Sequence, residues 1–543
     1  MKSLNLAIVA LAAIGYVSVF SVDAQVSKVW VADNGDGTYS NPILHADYSD
    51  PDAIRVGDDY YMTASSFNAV PGLPILHSKD LVNWKLINHA FDRQMPEEIY
   101  QKPQHGNGVW APSIRHHNGE FYIYWGDPDH GVYMTKTKDP AGKWSTPHLV
   151  KAAKGWIDTS PLWDDDGNAY LVHAFAGSRA GIKSILVVKK MNKEGTEILD
   201  DGVVVFDGHD DHPTVEGPKF HKFNGYYYIS APAGGVATGW QLVMRSKNIY
   251  GPYETKTVLA QGKTAINGPH QGALVDTPNG EWWFLHFQDK RAYGRIVHLQ
   301  PAVWKNGFPV IGSDTDGDGV GEPVIRFKKP NVGKSFAIAT PPDSDEFDDS
   351  RIGRQWQWHG NPGSTWAFPF PEKGVLKMFS VQTPANYNNL WDLPNLLLQK
   401  FPAEEFTATA KVTVDHRFEG EKFGFVVMGL DYAYLGVTNR GGKKYISLSN
   451  AANADKGSAE TETASQLFDG RTIYLRVQVK RGAVCSFSFS KDGKDFTAIG
   501  GSFNAREGKW IGAKLGFFYT RPGVFNDGGS ADIDWIRFEK NKY

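Results

Sequence analysis

One cysteine, Cys485, stands in 543 residues, so no disulfide can close within the chain. Packing and strand pairing must hold the fold. Lys and Arg number 57 against 60 Asp and Glu, a net charge of −3, and like charges form no runs. Neither a basic patch for nucleic acid nor a polycationic face for an anionic membrane is present. Beyond residue 24 no apolar stretch approaches the length needed to cross a bilayer. Helical periodicity is sparse, and the sequence shows neither a Ser/His nucleophile elbow nor a cluster of metal-ligand residues.

What the chain has instead is aromatic side chains and turns: 13% Phe, Trp and Tyr, with 17 Trp, 57 Gly and 30 Pro. That mixture describes an all-β protein. Five times a turn pair runs into an aromatic-rich strand: Asp58-Asp59-Tyr60-Tyr61, Asn118-Gly119-Glu120-Phe121, Asp166-Gly167-Asn168-Ala169-Tyr170, Asn224-Gly225-Tyr226-Tyr227 and Asn279-Gly280-Glu281-Trp282. The turns begin at 58, 118, 166, 224 and 279, giving successive units of 60, 48, 58 and 55 residues. Units of that size, each a set of short antiparallel strands, predict a five-bladed β-propeller over about 41–327.

At its start the sequence reads as a secretory signal over 1–24: Lys2, an apolar stretch at 4–20, and Val22-Asp23-Ala24 as a cleavage site before Gln25. The stretch is long for a signal, which leaves an uncleaved anchor as the alternative. No Cys follows it, so a lipid-anchored form is not expected. The expected location is outside the cytoplasm, periplasmic or secreted, with no membrane span after cleavage. The texture changes at Thr340-Pro341-Pro342, which sets the domains at 25–338 and 339–543. Period-two alternation in Phe406-Thr407-Ala408-Thr409-Ala410 and Ile473-Tyr474-Leu475-Arg476-Val477 predicts a β-sandwich for the second. Asp314-Thr315-Asp316-Gly317-Asp318-Gly319 opens like a calcium loop, but Ile325 occupies the position that needs a bidentate Glu, so a surface turn is the expectation.

A short segment precedes each hairpin, and three of these segments begin with an acid: Asp50 before Pro51, Asp158 before Ser160-Pro161, and Glu216 before Gly217-Pro218. Each alone is common turn chemistry. Together, as innermost strands of blades one, three and four, they would converge on the axis, where crowded carboxylates carry a desolvation and repulsion penalty that a structural propeller would avoid. Trp110 in blade two and His270 in blade five hold the equivalent places. Paired carboxyls beside an aromatic wall suit glycoside hydrolysis, in which one acid protonates the leaving oxygen while a carboxylate activates water.

The ordered set Asn41-Pro42-Ile43-Leu44, Tyr48-Ser49-Asp50-Pro51-Asp52, Gly108-Val109-Trp110-Ala111-Pro112, Ile157-Asp158-Thr159-Ser160-Pro161, Val215-Glu216-Gly217-Pro218 and Gly294-Arg295-Ile296-Val297 resembles glycoside hydrolase family 43. Within it the chain is similar to the β-xylosidase and α-L-arabinofuranosidase branch with a C-terminal, concanavalin-like β-sandwich. The resemblance implies Asp50 as general base, Glu216 as general acid, and Asp158 as the acid that tunes and orients Glu216. It implies substrate contacts from Phe67, Trp110, His270 and Arg295. Ser49 stands where many relatives have Pro. Asp47 competes with Asp50 on spacing, and only the family motif separates them.

Inversion is implied, with acid and base ~6.5–9.5 Å apart to admit a water. No cofactor is required, and a calcium ion near His270 is left open. The expected substrate is a terminal pentose on hemicellulose such as xyloglucan or arabinoxylan fragments, α-L-arabinofuranose slightly ahead of β-D-xylose. A catalytically silent carbohydrate-binding propeller is the rival from another class. Trp356, Trp358, Trp366 and Trp391 are expected to be core rather than sugar platforms. Arg521-Pro522-Gly523-Val524-Phe525 is the expected segment by which the second domain closes the pocket. Oligomeric state is not legible.

Overall fold

In a computed structural model, residues 26–542 can be described, and the leader reading for 1–24 lies outside them. Five antiparallel four-stranded sheets follow one another, each in simple chain order from the axis outward. Their innermost strands are Asp52–Val56, Trp110–His117, Trp156–Trp163, Lys219–Phe223 and His270–Asp276. The first hairpin of blades two and four turns on Asn-Gly, with φ of 48° and 76° at Asn118 and Gly119 and 52° and 71° at Asn224 and Gly225. Positive φ at both central residues makes a turn whose twist matches the flanking strands, which is why Asn-Gly recurs there.

The ring closes through its N-terminal segment. Thr38–Ser40 pairs with Arg326–Lys328, and Leu44 bridges Val297 in blade five. Asn41 donates to the carbonyls of Leu299 and Val324 and accepts from the Leu299 amide, so one side chain ties the entry to blade five. Between blades one and five, Tyr60, Met62, Trp84, Trp283 and Leu285 are buried in one apolar cluster.

The C-terminal domain is a sandwich of two large sheets, one containing Phe406–Asp415, Thr472–Lys480 and Ser530–Glu539, the other Lys422–Met428, Tyr432–Arg440 and Lys514–Arg521. Ile473, Leu475, Val477 and Val479 alternate inward, as period-two patterning requires. Cys485 is buried in this core. Trp356 packs against Phe347 and Phe517, Trp358 and Trp366 meet edge to face, and Trp391 stacks on the propeller's His105 at 3.5 Å. Interdomain hydrogen bonds join Gln94 to Asn361 in both directions and Asn68 to the His359 carbonyl. Among the described residues no helix is long and apolar enough to cross a membrane.

Candidate active site

The propeller axis opens into a cavity of about 270 Å³ whose wall includes Asp50, Phe67, Trp110, Asp158, Glu216 and Arg295. How the backbone delivers these side chains repeats from blade to blade. The inner strands of blades two, three and five each carry a bulge, and inside each bulge one residue adopts positive φ: Ala111 at 31°, Asp158 at 59° and Gln271 at 38°. Asp50 and Phe67 are also left-handed, at 54° and 51°. Such strain in non-glycine residues costs ~1–3 kcal/mol each and persists where the surrounding structure over-determines it. Here it re-aims side chains toward one point.

Asp50, 3% exposed, is surrounded by donors. Ser49 and Ser65 hydroxyls donate to Oδ2 at 2.8 and 2.6 Å, and Arg295 Nη1 lies 3.1 Å from Oδ1. Ser65 in turn accepts from the Ala111 amide, which links blade two to this carboxylate. Asp158 accepts from the Gly217 amide at 2.7 Å, so the backbone beside Glu216 is held by its neighbouring acid. Burial and the Asp50 charge push Asp158 upward from the usual carboxylate range. Glu216 is pushed upward too, by burial first and then by Asp158 and Asp50. Its side chain keeps 23% exposure, toward the cavity.

His270 is fully buried behind Glu216, Nε2 lying 3.4 Å from Oε1, and burial drives its pKa down to about 3. It is therefore a neutral imidazole, and neither ring nitrogen has a hydrogen-bond partner among the described residues. Among the described residues Glu216 is the one carboxyl within ion-pair distance of the ring, so the acidic side chains there do not by themselves supply the roughly six to eight oxygens that calcium takes. Among the described residues, the three carboxylates close enough together to share one metal ion are Asp314, Asp316 and Asp318, on the turn after blade five, where Lys305 pairs with Asp314.

The sandwich supplies one wall, from a segment other than the expected one. Arg521 and Phe525 line a separate cleft with Trp366, Phe368 and Phe379. Trp510 reaches the cavity instead, 6.3 Å from Trp110 edge to face, with the Arg295 guanidinium 5.6 Å from its ring. Asp47 fixes that loop: one oxygen accepts from the Arg295 amide and the other from the Gly512 amide, both at 2.9 Å. Asp47 is thus a strap between domains, and Asp50 is the acid that faces the cavity. Trp510 lies in Glu507-Gly508-Lys509-Trp510-Ile511-Gly512, and its only sequence signal is a lone Trp between glycines.

A five-bladed propeller whose axis gathers three carboxyls under aromatic walls belongs to the carbohydrate-cleaving propellers. The chain is a member of glycosyl hydrolases family 43, whose model matches residues 39–309, and a β-xylosidase C-terminal concanavalin A-like domain matches 344–539. It is a glycosidase, hydrolysing glycosidic bonds. A putative β-xylosidase of Xylanibacter ruminicola is 39% identical over 91% of this chain and 88% of its own length. The non-reducing end α-L-arabinofuranosidase BoGH43B of Bacteroides ovatus is 29% identical over 92% of this chain and 94% of its own. The solved structure of a mutant (K247S) of the family-43 protein BlXynB from Bacillus licheniformis superposes with a TM-score of 0.80 at 25% identity, over 93% of this chain and all of that one.

Proposed function

We propose that the protein is an exo-acting, inverting pentosidase that removes a single non-reducing terminal sugar, with Asp50 as general base, Glu216 as general acid and Asp158 as the group that tunes and orients Glu216. The observation that carries this is the division of labour among three neighbouring carboxyls. Asp50 sits among four donor contacts, as a water-activating carboxylate should. Glu216 has its pKa raised and a neutral His270 beside it, as a proton donor should. Asp158 anchors the Gly217 amide, and its like charge adds to burial in keeping the Glu216 proton on.

A cavity of about 270 Å³ capped by Trp110, Phe67 and Trp510 is at the small end for ligand sites, which favours one sugar ring over a polymer threading through. Between the two pentoses, β-D-xylose leads, because the relative at 39% identity is named a putative β-xylosidase. α-L-Arabinofuranose is the second reading, supported by similarity to BoGH43B along nearly the whole chain. The ratio of rates on nitrophenyl β-D-xyloside and α-L-arabinofuranoside decides between them. Hydrolysis of neither, with clear binding of hemicellulose fragments, would sink the enzymatic assignment in favour of a silent binding propeller. Inversion is checked by NMR of the first-formed anomer. Export to the periplasm or medium remains part of this reading, tested by fractionating the native host.

Two further results are expected. Because Glu216 must be protonated to act, kcat/KM should fall as pH rises through its raised pKa, and this basic limb should be missing from the Glu216→Gln variant's residual rate. Trp510→Ala should raise KM about tenfold with a smaller change in kcat, since a stacked wall contributes ~1.4 kcal/mol to binding throughout the reaction. An unchanged KM would show that the sandwich merely supports the propeller.

A further inference from the structure

Below the pocket the axis carries a second layer of charge. Asp52 lies two residues beyond Asp50, Ser160 two beyond Asp158 and Lys219 three beyond Glu216, so each strand that delivers an acid also delivers a polar group deeper along the axis. Arg115 of blade two joins them. Its Nη1 donates to Asp52 Oδ2 at 2.6 Å and its Nη2 to Ser160 Oγ at 2.7 Å. Lys219 Nζ donates to the Pro112 carbonyl at 2.9 Å and to Ser113 Oγ at 3.1 Å. Asp52 and Lys219 are 0% exposed and Arg115 is 9% exposed.

Burying a lysine is costly, and among the described residues no carboxylate lies within ion-pair distance of Lys219. Burial lowers its pKa from the ordinary lysine value, and Arg115 acts the same way, while Asp52, Asp158 and Asp50 at longer range favour its charged form. His221, next along the same strand, is held neutral by burial and by Arg115. Over both layers, four carboxyls (Asp50, Asp52, Asp158, Glu216) meet three cations (Arg115, Lys219, Arg295), and neutral His270 adds none. Such a column is neutral when one carboxyl holds a proton. Asp50 has Arg295, Asp52 has Arg115, and Asp158 has the Gly217 amide, whereas the close polar neighbour of Glu216 is the uncharged His270.

We infer that Lys219 and Asp52 are electrostatic positioning residues, whose opposite charges beneath the pocket hold the axial carboxyls at one shared proton, carried chiefly by Glu216. This deepens the proposed function and rests on Glu216 being the acid. The charged groups that act most on Glu216 are Asp158, Asp50, Arg295 and the exposed Lys183; Lys219 reaches it through Asp158, on which Asp50, Lys219 and Arg295 act, and Asp52 reaches it through Lys219 and Arg115.

The test is the pH profile of kcat/KM on an aryl pentoside. Lys219→Met removes a positive charge, so both limbs should move to higher pH by about one unit; Asp52→Asn removes a negative charge and should move both limbs about as far the other way. General damage to the axis would not give opposite signs. Limbs that stay fixed, or that move together in one direction, overturn the inference. Carboxyl ¹³C NMR of the unmodified protein gives a second measurement that needs neither variant folding nor turnover: one axial carboxyl should remain protonated at neutral pH. Finding none protonated, or two, also overturns it. Inactivity on both pentosides would defeat the functional reading while leaving this NMR result to stand or fall alone.

Discussion

Glu216→Gln is expected to lower kcat/KM by about 10³-fold on a pentoside with a poor leaving group, such as a xylo-oligosaccharide. The amide keeps the shape of the side chain and cannot give up a proton, so the departing sugar oxygen must leave as an alkoxide. With a dinitrophenyl leaving group, which departs without help, most of the loss should disappear. Equal losses on both substrates would move the acid role elsewhere. Stability should change in the opposite sense to activity. The folded Glu216 carboxyl has its pKa raised above the ordinary 4.5, so between that value and the folded pKa the native state holds a proton that the unfolded chain releases. Wild-type stability therefore declines as pH rises through this window, while the variant has no such proton to lose. The variant's melting temperature should exceed the wild type's, by a margin that widens from pH 5 to pH 8. A margin that stays flat or narrows would mean that Glu216 is ionised in the folded protein.

Asp50→Asn should cost about 10⁴-fold in kcat/KM, and here the leaving group should make no difference. The water attacks in every case, and an amide cannot take its proton. Ser49 and Ser65 can still donate to the Asn oxygen, so the pocket keeps its shape, but Arg295 loses its charge partner. Asp47→Asn distinguishes this from the competing assignment. Its oxygens serve the Arg295 and Gly512 amides, so that variant should loosen the Trp510 loop and raise KM while retaining most of kcat. If Asp47→Asn were the inactive variant and Asp50→Asn the active one, the base would be Asp47.

Why some of the site was legible and some was not follows from where each residue's partners lie. Asp50, Asp158 and Glu216 could be read because each lies within three residues of the start of an inner strand, and a propeller's symmetry brings strand beginnings to one axis. Trp110 was readable for the same reason. His270 begins its strand in the fifth blade, the place the repeat predicts, but its position behind Glu216 depends on the bulge at Gln271. Trp510 was missed because it sits 400 residues from Trp110, on a loop without periodicity, and only the contact between domains brings the two rings together. Arg521 and Phe525 looked as eligible in sequence and face a different cleft.

The sequence by itself determined the architecture: five hairpin units, an alternating C-terminal region, and three acids at equivalent points of the repeat. These are local patterns, set by turn chemistry and strand period within a few residues. The tertiary structure decided what those acids experience. Ser65 and Arg295 meet at Asp50, the Gly217 amide turns to Asp158, and neutral His270 backs Glu216, all from segments far apart in the chain. Proton affinity depends on burial and on charges a few ångströms away, and neither quantity is a property of neighbouring letters in the chain.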